Sequence, residues 1–519
     1  MTLSPDPAVN RCVIVDLPAP DLDARWREHL QRHGFGGVCL FRRNIENRAQ
    51  LLTLVRDIRE VLGQDALIGI DQEGGAVLRV LETPQVPAPM ALGAANDPEL
   101  AREIGAVTAR GLIELGINWN FAPVLDINNN PDNPVIGERS FGADPQLVAR
   151  LGLAWAQGLE SAGVMSSVKH FPGHGDTSVD SHLALPVVNK TREVLEAVEW
   201  LPFQAAARAG VGSFMTAHIL YPALDAELPA TLSPRILTDL LRGEWGYDGV
   251  VVTDSTDMLA IAERFPNGEG APLSLIAGAD AVLACTHGDL AAQERQVAAL
   301  SRAVQDGRLT RARVQEATRR LNAAARRFPT TPRPQDSAQR QHDEATCEYA
   351  ALKAVTSYGN VTLPNGTDRV LLIAPSGAAV GGPYEDALCG SELTRQLQRA
   401  FPKLLSVLYS PTLDAQQAEC FLHTVREAAA DFVLLASSSR WAFTSAEQRL
   451  IDGVLALPGP VLHLALWNPY HVTAVDAPAL ITYGFRSNTL QAVRAVLQGA
   501  PALGRLPIDF GERRPFPER

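Results

Sequence analysis

Eight short apolar runs recur through the first 290 residues, each followed by a polar or glycine-rich loop and a helix-periodic segment, and they constrain the fold more than any other feature. They are Val13–Asp16, Gly37–Phe41, Ala66–Ile70, Asn118–Leu125, Val164–Val168, Gly212–Thr216, Val250–Thr253 and Ala281–Ala284. Strands that are apolar throughout must be covered on both faces, which makes the sheet parallel. Eight strand and helix repeats then predict a closed (β/α)8 TIM-type barrel, with an open doubly wound sheet as the other arrangement of the same elements. The segment Phe328 to Gln341, F-P-T-T-P-R-P-Q-D-S-A-Q-R-Q, is proline-rich and polar and predicts a linker after a barrel over residues 1–327. Further apolar runs at Arg369–Ala374, Leu404–Leu408, Asp431–Ala436, Val461–Leu466 and Leu480–Tyr483 predict a smaller parallel α/β sandwich over residues 342–519. No G-x-G-x-x-G follows its first strand, so a dinucleotide cofactor is not expected.

Composition narrows the partners. Lys and Arg total 46 against 58 Asp and Glu, a formal charge of -12, and no basic run is long enough to track phosphates. Nucleic acid and anionic membrane surfaces are therefore not expected partners. The opening M-T-L-S-P-D-P-A-V-N lacks a basic segment followed by an apolar one, which predicts a cytoplasmic protein. The six cysteines are scattered singly, as expected of reduced, mostly core thiols. The uncharged stretch Gly453 to Val475 is broken by three prolines and two histidines and reads as a buried strand with its loop.

The polar residues at the ends of the apolar runs point to chemistry. Asp71, Gln72 and Glu73, then Asp126, Lys169, His170, His218 and Asp254 all stand at C-terminal strand ends, the rim where the loops of such a barrel converge. The densest stretch is K-H-F-P-G-H-G-D-T-S-V-D-S-H-L-A-L-P from Lys169 to Pro186, in which Pro172, Gly173 and Gly175 exclude a regular helix. Asp180 and His182 are two apart, so the carboxylate can orient the imidazole and form a proton-transfer dyad. His170 and His174 are spaced like metal ligands, but that spacing brings two ligands together only on a helix, and no metal is expected here. Satisfying buried backbone groups is the other use for these histidines, and capping the following helix is the other use for Asp254.

These motifs together resemble glycoside hydrolase family 3, in its β-N-acetylglucosaminidase branch. The likeness rests on D-Q-E-G-G at Asp71 to Gly75, N-F-A-P-V-L-D-I-N-N-N-P at Asn120 to Pro131, I-G-E-R-S-F-G at Ile136 to Gly142, the Lys169 to His182 loop, and V-V-T-D at Val251 to Asp254. It is specific over the barrel and general over the C-terminal half. The resemblance implies a retaining mechanism in which Asp254 is the nucleophile and His182, assisted by Asp180, is the acid/base. It implies that Asp71, Arg79, Arg139, Lys169 and His170 hold the sugar, with salt-bridge partners within the rim as the lesser reading of Arg139 and Lys169. Position 76 is Ala where the family usually reads D-Q-E-G-G-R-V, which questions the packing of that loop.

The leading expectation is a metal-independent exo-β-N-acetylglucosaminidase acting on small saccharides such as muropeptides. A phosphorylase is the first alternative, since a neutral His182 would not repel phosphate. A non-catalytic sugar-binding protein is the second. The sequence leaves the oligomeric state and the role of the C-terminal half open.

Overall fold

The computed structural model describes residues 7–178, 184–378, 383–385 and 387–510. Eight parallel strands close into a barrel: β1 (Val13–Asp16), β2 (Gly37–Leu40), β3 (Leu67–Ile70), β6 (Trp119–Asn120), β7 (Met165–Phe171), β8 (Ser213–Thr216), β9 (Val250–Ser255) and β10 (Ala281–Ala284). The ring is shut by β1 pairing β10, with Val13 opposite Val282 and Val15 opposite Ala284. A small antiparallel hairpin, β4 (Gln72–Gly74) and β5 (Val77–Leu78), rises from the end of β3. All eight runs read from sequence supply a strand, and the barrel is closed.

Helix starts follow from capping side chains. Asp23, Asn47, Asp97, Asp144, Asp289 and Thr310 each accept a hydrogen bond from a first-turn backbone N–H. Asp97 and Asp144 are followed by proline at the first helical position, where a missing N–H costs nothing. Trp119 packs edge-on against Phe121, while Phe171 and Phe214 pack against Phe203 of the helix Trp200–Ala209, and all five rings are fully buried. Gly69 makes room for this packing, because a Cβ there would stand 2.5 Å from the ring of Phe121.

The run expected as a strand over Asn118–Leu125 is a strand only at Trp119–Asn120. Pro123 removes a ladder donor. The side chain of Asn120 substitutes for backbone pairing, accepting from Gln72 N at 2.9 Å and donating to Gln72 O at 2.9 Å.

After a helix at Arg311–Arg327, the chain runs to a second helix at Ser337–Ala354, so the last five residues of the expected linker are helical, capped by Asp336 accepting from Gln339 N. The second sheet contains β11 (Thr356–Tyr358), β12 (Val370–Pro375), β13 (Leu405–Tyr409), β14 (Phe432–Ser437), β15 (Val461–Ala465) and β16 (Ala479–Ile481), in the order β11-β16-β15-β14-β12-β13. It is parallel except for β11, which pairs antiparallel with β16. Alternate residues serve opposite faces: Leu372, Leu434 and Leu464 enter one buried cluster, while Leu371, Val433 and Leu435 enter another.

The two halves share apolar cores. Ala76 and Val77 of the hairpin lie in one cluster with Trp467, Phe485 and Leu490, and Met90, Ala91 and Ala94 lie in another with Tyr470, Tyr483 and Ile508. Arg486 donates to Gly75 O at 2.8 Å and Asn128 donates to Tyr470 Oη at 2.9 Å. Position 76 is thus buried against the second domain's core, where the short side chain of Ala is accommodated. No helix among the described residues is long and apolar enough to cross a membrane. All six cysteines are free, four buried and two, Cys389 and Cys420, exposed.

Candidate active site

A cavity of about 470 Å³ opens at the C-terminal rim of the barrel. Its wall includes Asp71, Glu73, Arg79, Arg139, Lys169, His170, His174 and Asp254 from the barrel, and Pro383 and Glu385 from the second domain. Each sugar-holding candidate named from sequence reaches this one space, as does Asp254. Asp180 and His182 lie outside the described residues.

Lys169 organises the charged wall. Its Nζ is 2.6 Å from Asp71 Oδ1 and 2.6 Å from Glu73 Oε1. Arg139 forks onto the same Glu73, with Nε and Nη2 each 2.8 Å from a carboxylate oxygen, and donates through Nη1 to Val135 O. Arg79 links the set to the second domain: one guanidinium nitrogen is 3.7 Å from Asp71 Oδ2, while the other is 2.8 Å from Glu385 Oε2 and donates to Pro383 O. Glu73, Arg79, Arg139 and Lys169 are all buried. Burial opposes ionisation of Glu73, but Arg139 and Lys169 outweigh it and hold the carboxyl far below the usual range. Burial likewise works against the charges of Arg139 and Lys169, and their carboxylate partners overcome it and raise both. The outcome is a rigid alternation of donors and acceptors, fixed before any ligand arrives.

Asp126 holds the next layer. Its Oδ1 accepts from the backbone N–H of His174 at 2.6 Å and of His170 at 3.1 Å, and its Oδ2 is 2.7 Å from His170 Nδ1. Contacts with His170 and His174 outweigh burial and lower the Asp126 carboxyl, so as an ionised acceptor it holds the proton of His170 on Nδ1. His174 is buried, and that burial pushes its imidazole down to about 4. The loop's shape depends on Gly175, where a Cβ would stand 1.6 Å from the carbonyl oxygen of Ile127.

Asp254 stands near the end of β9, half-buried, with Oδ1 accepting from Ser255 N at 2.7 Å. His218 braces this strand end: its Nε2 donates to Ser255 O at 2.8 Å and its Nδ1 is 2.7 Å from Thr231 Oγ1. Two strands further round the barrel Arg43 meets Asp16 at 2.5 Å, and Asp257 and His287 complete the wall. Burial raises the Asp257 carboxyl.

Sequence reasoning missed Arg43, Asp257, His287, Pro383 and Glu385. Asp16 ended the first apolar run and carried a signal, but Pro383 and Glu385 sit in a loop whose residues look like any polar connection. Glu138 was hidden in the same way: it is buried beside Arg139, raised by that burial, and accepts from Trp467 Nε1 of the second domain at 2.7 Å.

Comparison with known proteins follows the same lines. The family model described as "Glycosyl hydrolase family 3 N terminal domain" matches residues 12–324. A solved glycoside hydrolase family 3 β-N-acetylglucosaminidase from Paenibacillus sp. str. FPU-7 superimposes with a TM-score of 0.91 at 34% identity, over 98% of this chain and 99% of that one. A protein named beta-hexosaminidase A from Pseudoalteromonas piscicida is 35% identical over 398 residues, 70% of this chain and 66% of that protein's own length. One named beta-hexosaminidase from Chromobacterium violaceum is 41% identical over 280 residues, 53% of this chain and 78% of that protein.

Proposed function

The chain belongs to glycoside hydrolase family 3, and from that premise we propose that it is a retaining exo-β-N-acetylglucosaminidase. It releases terminal N-acetylglucosamine from small saccharides, with muropeptides as the substrate class the resemblance favours. One observation carries the reading. The Asp254 carboxylate and the interlocked set of Asp71, Arg79, Arg139 and Lys169 line a single cavity, so a sugar ring gripped by the set presents its anomeric carbon to a carboxylate.

In the first half-reaction an Asp254 oxygen attacks the anomeric carbon, the glycosidic bond breaks, and His182 gives its proton to the departing oxygen. In the second, His182 takes a proton from water as that water's oxygen displaces Asp254 and restores the free carboxylate. Asp180 orients the imidazole throughout. Asp71 accepts from sugar hydroxyls, while Arg79, Arg139, Lys169 and His170 bind the ring's oxygens. Because their charges are already paired, these groups need little reorganisation when the transition state forms.

Charge supports water as the acceptor over phosphate. Among the described residues Asp16, Asp71, Glu73, Asp254, Asp257 and Glu385 outnumber Arg43, Arg79, Arg139 and Lys169 on the cavity wall, a balance that disfavours entry of a dianion.

The test is product analysis with an aryl β-N-acetylglucosaminide, with and without phosphate, alongside the matching β-glucoside and an Asp254→Asn control. We expect free N-acetylglucosamine under both conditions, a far higher kcat/KM than for the glucoside, and a folded but inactive Asp254→Asn. A sugar phosphate as the main product would establish the phosphorylase, equal rates on the two glycosides would move the enzyme to another branch, and binding without turnover would leave a sugar-binding protein.

A further inference from the structure

Away from the cavity, the helix Ala24–His33 meets the helix Leu290–Gln305 across the line where β1 closes onto β10. His29 and His33, four residues apart on the first helix, both turn toward Glu294 on the second. His29 Nδ1 is 3.4 Å and His33 Nε2 is 3.0 Å from the same Glu294 Oε1, and the three ligand atoms lie within 4.8 Å of one another.

The surrounding hydrogen bonds fix the tautomer of His29. The amide nitrogen of Gln293 donates to Asp16 O and Asp16 Oδ1, each at 3.0 Å, so its oxygen faces His29 Nε2 at 3.0 Å and accepts the proton there. That leaves Nδ1 of a neutral His29 as a bare lone pair, and burial holds this imidazole below its ordinary value. His33 Nε2 lies 3.0 Å from Arg32 Nη2, 3.3 Å from Arg32 Nε and 3.0 Å from Glu294 Oε1, and its tautomer protonated on Nδ1 directs a lone pair at the same point. Two imidazole nitrogens and a carboxylate oxygen thus converge on one point. The cation on them is Arg32, whose guanidinium also contacts Glu294 and whose side chain is 54% exposed and able to swing away.

Two histidines at helical spacing, a carboxylate and a second-shell amide that sets the tautomer match the requirements of a late first-row divalent cation. We infer that His29, His33 and Glu294 form a binding site for Zn²⁺, entered when Arg32 moves into solvent, with water completing a tetrahedron. The ion would join the first and last strand and helix units of the barrel, stabilising the closure without entering the reaction.

The test is titration of the full chain with Zn²⁺, and with Co²⁺ for its tetrahedral absorption, following heat and thermal unfolding. One equivalent should bind and raise Tm, Arg32→Ala should bind more tightly because the competing guanidinium is gone, and His33→Asn should lose both the binding and the absorption. Glu294→Gln, a change at a partly exposed side chain, repeats the test if His33→Asn does not fold. Stoichiometric binding that survives in His33→Asn or Glu294→Gln would overturn the inference, as would no binding in either wild type or Arg32→Ala. The readout is independent of glycosidase activity, so it stands or falls separately from the proposed reaction.

Discussion

Lys169 touches two carboxylates at once, and that geometry explains why the charged wall was largely legible in the sequence. An ionisable residue in an otherwise apolar strand must be buried with its charge answered, so Lys169 and Asp254 stood out. The partners that answer from elsewhere did not: Glu385 and Arg43 reach the cavity only through the fold. At this scale the role assigned to His182 is open to a direct kinetic check. A sugar leaving group needs a proton and a dinitrophenolate does not, so His182→Ala should slow glycosylation of a sugar-linked substrate by roughly 10²–10⁴-fold and of the dinitrophenyl glycoside far less. Pre-steady-state rates give the comparison, and equal losses would make His182 a binding residue. His174 carries a pH signature. Its imidazole titrates near 4 in the folded protein against 6.5 when unfolded, so between those values the unfolded chain holds a proton that the folded one does not. Its contribution to stability is complete above pH 6.5 and falls as pH drops to about 4. Urea midpoints measured across that range should slope less in His174→Asn than in wild type.

The elements were read best where hydrophobicity is continuous and worst where side chains replace backbone pairing. Strand β6 shrank to two residues because Asn120 pairs through its amide and Pro123 cannot donate. The hairpin β4–β5 and strand β11 are two or three residues long, too short for any periodic signal. The Lys169 to Pro186 loop shows the reverse: its glycines were read as helix breakers, and the structure adds that one of them is a contact. With Ile127 O only 1.6 Å from a Cβ at position 175, Gly175→Ala must push the loop off that carbonyl and displace the residues beside it. We expect the variant to fold with a lower Tm and to lose most of its kcat. Activity and melting curves check this, and an unchanged kcat would show that the loop relaxes without moving its side chains.

Taken whole, the molecule unites two sheets that the sequence presents as separate. The barrel's Ala76, Val77, Met90 and Ala94 are buried among second-domain side chains, and Glu138 accepts from Trp467 across the boundary. Neither half can open without exposing the other's apolar surface, so calorimetry should record a single unfolding transition. Two resolved transitions would mean that the shared clusters contribute little. The sequence could place both sheets but not this union, because a contact between distant segments leaves no local pattern. Arg486 gripping Gly75 O while Ala76 shares a buried cluster with Phe485 has a consequence for inheritance. A hybrid gene that spliced this barrel to a relative's C-terminal half would keep the hairpin and lose its receptor. Because Met90, Ala94, Asn128 and Glu138 of the barrel also meet the second domain, an incoming half would have to match all of these segments together with residues 72–80, and not the segment 328–341 alone.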